Sequence, residues 1–242
     1  MKTVFLSKQK PSQAGILLLF CLVILLPAGV TLSSIFSYEF ELVNNTLFAA
    51  VTALVAIGAM VLFEIVDEPR VDSLTGVFLA LLAPFSLINT VFFILKTPSF
   101  WVVISMFICI VCCFWLSWNY GKPKLMKHIS IVPSMLMVLP VGFLGFIALT
   151  FGNIGQNTVV QSVESPNGTY YADLIDSDQG ALGGDTIVVV HENSSIRNFL
   201  FTIEKEPQLV YLGEWGEFRD MELYWKNENC LVINDVEYVI NE

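Results

Sequence analysis

Charged side chains are scarce in this chain of 242 residues, and five long stretches contain none at all. Asp, Glu, Lys and Arg make up 14% of the sequence, against about 25% in an ordinary soluble domain. The charge-free stretches are 11–38, 42–63, 73–95, 97–121 and 129–163. A helix needs about 20 apolar residues to cross the hydrocarbon core of a bilayer, so each stretch is long enough. The scarcity of charge therefore predicts a multi-pass membrane protein.

The five stretches predict a membrane α-helical bundle over 14–151, preceded by a short segment 1–13 and followed by a domain 152–242. The predicted spans are approximately 14–36, 44–63, 75–95, 100–118 and 129–151. The first stretch follows basic residues, as in a signal peptide, but its apolar run continues past Leu26 without a small-residue cleavage site. We therefore expect 14–36 to be retained as an uncleaved signal anchor.

The basic residues of the short connections predict the orientation of the helices, because Lys and Arg are enriched on the cytoplasmic side. With the N-terminus inside, seven basic residues are cytoplasmic: Lys2, Lys8, Lys10, Arg70, Lys122, Lys124 and Lys127. The two short outer connections contain only Lys96. This bias predicts a plasma-membrane protein with a cytoplasmic N-terminus and, after five spans, an extracytoplasmic domain 152–242.

The acidic residues are concentrated in that last domain. Of the 22 acidic residues 16 lie in 152–242, with four of the 12 basic ones, which leaves −12 there and +2 elsewhere. Binding of a nucleic-acid phosphate backbone requires a basic protein surface. The negative charge of this domain therefore predicts that nucleic acid is not a partner. The lipid bilayer is expected to surround the helices, and a protein, a cationic peptide or an envelope component is the partner expected on the outer face.

Residues 152–242 have the pattern of a small all-β domain, a sandwich or a barrel-like meander, because short apolar runs alternate with turn residues. The predicted strands are 159–163, 169–175, 186–191, 199–204, 209–212, 221–225, 230–233 and 236–240. Ser165-Pro166-Asn167-Gly168 is typical of a type I turn. Large aromatic residues are available for the core or for a binding face: Tyr170, Tyr171, Trp215, Tyr224 and Trp225.

An Asp-rich and Gly-rich segment between two predicted strands supplies the candidate site. Its binding residues are predicted to be Asp173, Asp176, Asp178, Gly180 and Asp185. Asp176-x-Asp178-x-Gly180 resembles the start of a calcium loop, but the later ligands of an EF-hand are absent. Two interpretations stay open, a solvated hairpin loop and a cation site with calcium at Asp176 and Asp178. No other cofactor is predicted.

The C-terminal third resembles the DUF5412-type proteins, which are small membrane-anchored envelope domains of Gram-positive bacteria. The residues that carry the resemblance are Ser165-Pro166-Asn167-Gly168, Gly183-Gly184-Asp185-Thr186, Trp225 and Leu231-Val232-Ile233-Asn234. The resemblance implies a bacterial, extracytoplasmic, β-rich domain and no particular activity. The same turn together with Trp225-x-x-x-x-x-Leu231 is similar to one blade of a TolB-like propeller, but a closed propeller needs at least four blades.

Residues typical of catalysis are rare, since the only histidines are His128 and His191 and the sequence has no H-E-x-x-H, G-x-S-x-G or P-loop motif. No catalytic residue is therefore predicted. Polar residues within the spans are expected to form hydrogen bonds between helices: Asn89, Thr90, Ser105 and Ser134. We expect a non-enzymatic, membrane-anchored binding or interaction protein of the bacterial envelope. The alternative is a transporter or permease-like accessory subunit in which the helices are the active part.

Overall fold

The structure is a computed structural model that describes residues 2–65, 71–96, 99–151, 156–180 and 183–240. The chain forms two compact units. The helical unit contains residues up to Leu32 together with Leu42–Thr150. The β unit contains the described residues from Phe151 onward and, in addition, Ser33–Glu41. The domain predicted from the sequence consists of 152–242 alone. In the structure, part of the connection between the first two helices belongs to the same unit.

Among the described residues, five long apolar helices form the first unit, as the charge-free stretches predicted. They are α1 (Lys2–Ile35), α2 (Asn45–Ile65), α3 (Ser73–Lys96), α4 (Phe100–Tyr120) and α5 (Lys124–Phe151). Each contains a segment that is long and apolar enough to cross a membrane. The largest differences from the predicted spans are at the starts of α1 and α5, which include basic residues that the charge-free criterion left out.

Helices α3 and α4 are joined by a buried hydroxyl group. Ser117 of α4 donates to the carbonyl oxygen of Leu79 at 2.5 Å and accepts from the backbone N–H of Ala83 at 3.3 Å. Near the same end, the backbone N–H of Lys122 donates to the carbonyl oxygen of Gly76 at 3.0 Å. A Cβ atom at Gly76 would lie 2.8 Å from the Cβ of Lys122, so a glycine is needed for this close approach.

Ser117 therefore takes the role that was expected of other polar residues. Thr90 and Ser134 each donate to a carbonyl oxygen of their own helix, four residues earlier. The amide nitrogen of Asn89 does reach α4, but its partner is the sulfur of Met106 at 3.7 Å, a weak acceptor. The prediction was wrong for Thr90 and Ser134 because a helical hydroxyl can bond to the preceding turn of its own backbone.

In its described residues, the β unit contains ten strands in three sheets. The strands are β1 (Tyr38–Leu42), β2 (Gln156–Glu164), β3 (Tyr170–Asp178), β4 (Gly184–Glu192), β5 (Ser195–Arg197), β6 (Phe201–Lys205), β7 (Gln208–Glu214), β8 (Leu223–Asn227), β9 (Cys230–Ile233) and β10 (Val236–Val239). Their orders are β2-β3-β4-β7, β10-β9-β8 and β1-β6-β5. The predicted strands correspond to eight of the ten, and β1 and β5 were not predicted.

The first two sheets share one hydrophobic core, as in a small sandwich. Strands β3 and β4 contribute alternate residues to it, among them Leu174 and Val188, which are fully buried. Leu231 and Ile233 of β9 are buried against the same core. This alternation is what antiparallel sheets with one buried face require. The expected turn at Ser165 is present, with the backbone N–H of Gly168 donating to the Ser165 carbonyl oxygen at 2.9 Å.

Strand β1 joins the connection between α1 and α2 to the third sheet. Its sequence Tyr-Glu-Phe-Glu-Leu alternates, and only Phe40 and Leu42 are buried. The ring of Phe40 lies 5.1 Å from the ring of Phe201 in β6. The backbone N–H of Glu206 donates to the carbonyl oxygen of Ser37 at 2.9 Å. Sequence reasoning missed this strand because its partner lies beyond four further helices.

Candidate binding surface

The Asp-rich segment is a β-hairpin between β3 and β4. Asp176 pairs with Thr186 and Asp178 with Gly184, so the two strands stay in register up to the loop. The backbone N–H of Gln179 donates to the carbonyl oxygen of Gly183 at 2.8 Å and closes the loop. Gly183 has a φ of 97°, a left-handed conformation that favours glycine. The hairpin predicted here is thus confirmed, with residues 181 and 182 outside the described part.

Two of the candidate carboxylates stabilise the loop itself. An oxygen of Asp178 accepts from the backbone N–H of Gly180 at 2.7 Å. An oxygen of Asp185 accepts from the side-chain amide of Gln179 at 2.7 Å. Gly180, another candidate, has a φ of 65°. These three residues are therefore brought together at the loop, where they fix its shape.

Asp176 has a different partner, the indole of Trp215. The Nε1–H of Trp215 donates to an oxygen of Asp176 at 3.2 Å. The indole lies over Gly184, where an added Cβ would come within 2.6 Å of its Cδ1 atom. Trp215 is nevertheless 54% exposed. A large aromatic surface is thus held in a defined position beside a carboxylate and remains accessible from solvent.

Further acidic residues lie at the same end of the sheet as this indole, because β7 ends next to the loop. Asp185 of β4 pairs with Glu214 of β7, directly before Trp215 in the chain. Glu217 lies in the short 3-10 helix Glu217–Arg219 and accepts from the hydroxyl of Tyr211 at 2.7 Å. This hydrogen bond raises the pKa of Tyr211 above its ordinary value. We give the name acidic end to the residues at this end of the sheet: Asp176, Asp178, Asp185, Glu214, Trp215 and Glu217.

Asp173, the remaining candidate, belongs to another part of the sheet. It lies 3.6 Å from the Nε2 atom of His191. The imidazole of His191 stacks on the ring of Tyr171, with centroids 4.6 Å apart and planes within 1° of parallel. Burial, followed by the nearby carboxylates of Glu204 and Asp173, raises the pKa of Tyr171. The structure therefore separates Asp173 from the loop and places it with two aromatic rings.

The donors for a metal ion are dispersed in the same way. Within the described ranges, no group of three or more His, Cys, Asp or Glu side chains is arranged to hold a metal. Asp176 accepts from the indole N–H of Trp215, whereas Asp178 accepts from the backbone N–H of Gly180, so the two carboxylates share no donor. Calcium at these two residues stays a prediction. The chemistry that the geometry does favour is recognition of a cation by carboxylates and an aromatic face.

Sequence reasoning identified three carboxylates of the acidic end, Asp176, Asp178 and Asp185, but not Glu214, Glu217 or the role of Trp215. Trp215 was one of five aromatic residues assigned to either the core or a binding face. The signal that could have singled it out is Gly183-Gly184, because consecutive glycines in a hairpin can indicate the close approach of another side chain. Trp215 follows β7, which is separated from the loop by three strands of the chain, β4, β5 and β6, so the contact cannot be predicted from a local pattern.

Comparison of the chain with family models, with curated proteins and with solved structures finds no match. A function is therefore inferred from the residues and contacts of the chain itself.

Proposed function

We propose that this chain is a multi-pass protein of the bacterial plasma membrane whose β unit is an extracytoplasmic binding module for a cationic protein or peptide. The observation that carries the proposal is the exposed indole of Trp215, held beside the Asp176 carboxylate and over Gly184 at the acidic end. The module acts by binding and not by catalysis. The DUF5412-type resemblance agrees with such an envelope role and remains a prediction.

The surfaces of the five helices support the membrane part of the proposal. Each helix exposes large apolar side chains, and one example from each is more than half exposed: Leu18, Leu54, Leu95, Trp101 and Leu136. Soluble monomers rarely expose large contiguous apolar areas, whereas a lipid bilayer solvates them. The helical conformation also pairs backbone groups within each segment, which favours it inside hydrocarbon.

Strand β1 supports the predicted orientation by a parity argument. Because β1 joins β6, the connection between α1 and α2 lies on the same side of a membrane as the β unit. This requires α2 to α5 to cross the membrane an even number of times, as four full spans do. The basic bias of the connections then favours the outside for that shared side. A C-terminal alkaline phosphatase fusion, which is active only outside the cytoplasm, should be active, and a cytoplasmic reporter should not.

The position of the acidic end within the β unit suits a surface that meets a partner. Glu192, the last residue of β4, forms an ion pair with Lys205 of β6 at 2.8 Å. The next residue after Lys205 is Glu206, whose backbone N–H donates to Ser37. Gly184 begins β4, eight residues away from Glu192, which corresponds to about 27 Å of extended chain. The acidic end therefore lies at the opposite end of the sheet from the residues that adjoin β1.

Carboxylates around an aromatic face are suited to Lys and Arg side chains. A cation placed over an indole gains about 0.5–2 kcal/mol, and neighbouring negative charge accelerates its approach. The −12 formal charge of 152–242 extends this attraction over the whole domain. Binding should accordingly weaken as salt concentration rises, because salt screens exposed charges.

The test uses the full chain in nanodiscs of zwitterionic lipid and a hexa-arginine peptide as the probe, with the dissociation constant measured by calorimetry. We expect Trp215→Leu to weaken binding by about threefold to tenfold. Tyr224→Leu is the matched control, since Tyr224 is an exposed aromatic residue of the same unit outside the acidic end. Equal losses in the two variants, or no saturable binding at low salt, would contradict the proposal.

A carboxylate pair of variants separates local recognition from net charge. Asp176→Asn removes the charge beside the indole, whereas Asp235→Asn removes one charge at the β9–β10 turn. Asp235 has a φ of 64°, a conformation that Asn tolerates, so this control should fold normally. We expect a clearly larger loss of affinity for Asp176→Asn. If both variants lose the same amount, the attraction is a property of the net charge and the acidic end is not a specific site.

The alternative function, a transporter or permease-like accessory, is favoured by one observation in the helices. The side-chain oxygen of Asn89 in α3 is buried and has no hydrogen-bond partner. A cavity of about 300 Å³ lies between α3, α4 and α5, and Thr90, the next residue, contributes to its lining. If a transported solute uses this amide, Asn89→Leu would abolish transport in reconstituted vesicles while the protein stays folded.

A further inference from the structure

The hairpin formed by β5 and β6 exposes apolar side chains at its tip. Phe199 is 91% exposed, the highest value among the large apolar residues that the structure describes, and Ile196 is 68% exposed. The tip has a defined conformation, because an oxygen of the Asn198 side chain accepts from the backbone N–H groups of Leu200 and Phe201, both at 2.8 Å. A built turn thus holds Phe199 away from the protein. We call residues 195–205 the Phe199 hairpin.

The path of the chain connects this hairpin to two apolar helices. It shares a sheet with β1, which begins three residues after the end of α1 and ends three residues before the start of α2. Three residues of extended chain reach at most about 11 Å. If α1 and α2 cross the membrane, both ends of β1 are therefore held close to the same membrane surface.

The direction of β6 beside β1 places the tip on the side where the chain enters α2. Ser37, at the α1 side of β1, bonds to Glu206 beyond the end of β6. Phe40, further along β1, contacts Phe201 at the start of β6. The two strands run in opposite directions, so the turn that carries Phe199 adjoins the end of β1 that leads to Asn45.

We propose that the tip of the Phe199 hairpin inserts into the outer leaflet of the same bilayer, with Phe199 and Ile196 as the inserted side chains. This inference rests on the proposed membrane insertion of the helices. Aromatic side chains are favoured at the boundary between headgroups and acyl chains. Ile35 and Phe36, which shortly precede β1 in the same unit, are exposed apolar residues as well. Insertion of the tip depends on apolar side chains and not on charge attraction, because anionic lipid repels the acidic domain as a whole.

Phe199→Trp in the full chain tests the insertion. The variant is reconstituted into phosphatidylcholine vesicles whose acyl chains are brominated near the headgroup, and its emission is compared with that of the unsubstituted protein. We expect the added tryptophan to emit at shorter wavelength than a water-exposed indole and to be quenched by the brominated lipid. Because the turn is held by the neighbouring Asn198 and not by the Phe199 ring, the substitution should not disturb folding, which circular dichroism checks.

Leu212→Trp is the matched control, since Leu212 is an apolar residue with 62% exposure on β7, towards the acidic end. Its indole should emit as in water and should not be quenched. An unquenched tryptophan at 199, or equal quenching at 199 and 212, overturns the inference. The native tryptophans of α4 show whether a negative result contradicts the insertion of the hairpin alone or the membrane insertion of the helices as well. If Trp101, Trp115 and Trp118 also escape quenching, the helices themselves are not in the bilayer.

Discussion

The carboxylate of Glu228 accepts a hydrogen bond from the hydroxyl of Ser165 at 2.7 Å, although the two residues lie in turns of different sheets of the sandwich. The same carboxylate accepts from the backbone N–H groups of Asn167 at 2.7 Å and of Thr169 at 3.1 Å. The turn between β8 and β9 is thereby hydrogen-bonded to the turn between β2 and β3. One side chain thus links the two sheets at this end of the sandwich.

Glu228 should make the stability of the β unit depend on pH. Partial desolvation raises its pKa, but the hydrogen bonds from Ser165, Thr169 and the turn backbone outweigh it and lower the pKa from 4.5 to about 2. A depressed pKa in the folded state means that the stabilisation is complete above about pH 4.5 and is lost as the pH falls towards 2. Glu228→Gln should lower the unfolding midpoint at pH 7 and flatten this acid dependence. Thermal unfolding from pH 7 to 3 measures both effects.

The control for this prediction is Glu222→Gln, which changes an exposed carboxylate of the same unit. Its acid dependence should follow that of the unsubstituted protein. Glu192 and Glu237 also have lowered pKa values, caused first by hydrogen bonds to Lys205 and Lys226, and they lose stabilisation in the same direction. The measured quantity is therefore the difference between the Glu228→Gln variant and its parent. An unchanged acid profile would show that the Glu228 bonds do not stabilise the fold.

Gly184→Ala should destabilise the β unit and displace the indole of Trp215. The new methyl group would meet the carbonyl oxygen of Ser177 at 2.5 Å and the indole at 2.6 Å, so both contacts must be relieved. Overpacking of this kind costs about 1–3 kcal/mol. Chemical unfolding monitored by circular dichroism gives the cost, and hexa-arginine binding should fall as in Trp215→Leu. Adding Trp215→Leu to Gly184→Ala should cost less than the sum of the two changes, because the indole contact is counted in both. Strict additivity would contradict the contact.

Ser117→Ala should weaken the pairing of α3 and α4. The substitution removes the hydrogen bond to Leu79 and leaves a buried carbonyl oxygen with one bond fewer. Hydrogen bonds between membrane helices are worth about 0.6–2 kcal/mol, which sets the expected loss. Ser134→Ala is the control, because Ser134 donates to Ser130 of its own helix at 2.7 Å. Unfolding in mixed micelles by increasing denaturing detergent compares the two, and a larger loss for Ser134→Ala would disprove the assignment.

Asn89→Leu should stabilise the helical unit if no solute uses its amide. The buried oxygen has no partner and the nitrogen meets only a sulfur atom, so the polar group carries a desolvation cost of about 1–3 kcal/mol. Leucine has a similar size and removes that cost. Asn119→Leu is the control, since Asn119 is exposed and donates to Trp115 of its own helix. The same detergent titration measures both variants. Loss of stability in Asn89→Leu would mean that the amide has a structural or ligand contact that its geometry conceals.

The helices were predictable because lack of charge is a local property of the sequence. The ends of the helices were less predictable. Helix α5 begins at Lys124, whereas the predicted span began at 129, after the last basic residue of that connection. Lysine has a good helix propensity, so a helix can extend through it into the region where basic residues meet water. A criterion based on charge alone therefore finds the apolar part of such a helix and not its start.

The sandwich and the acidic end show the limit of local reasoning more clearly. Most strands and the turn at Ser165 follow from alternation and from residue types with known turn preferences. Strand β1 has the same alternation, but its partner β6 is far away in the chain. The same holds for Trp215 beside Asp176 and for Glu228 beside Ser165. Each of these contacts depends on strand order, which the patterns of single segments do not specify.

Strand β1 has a consequence for the order in which the chain is completed. During synthesis β1 follows the first helix, but β6 emerges about 160 residues later, after four further helices. Until then β1 has no β6 to pair with, and the ring of Phe201 has not yet been made. A ribosome that stops before β6 leaves an open strand edge, which is a template for aggregation. The pairing of an early segment therefore depends on residues that are translated much later.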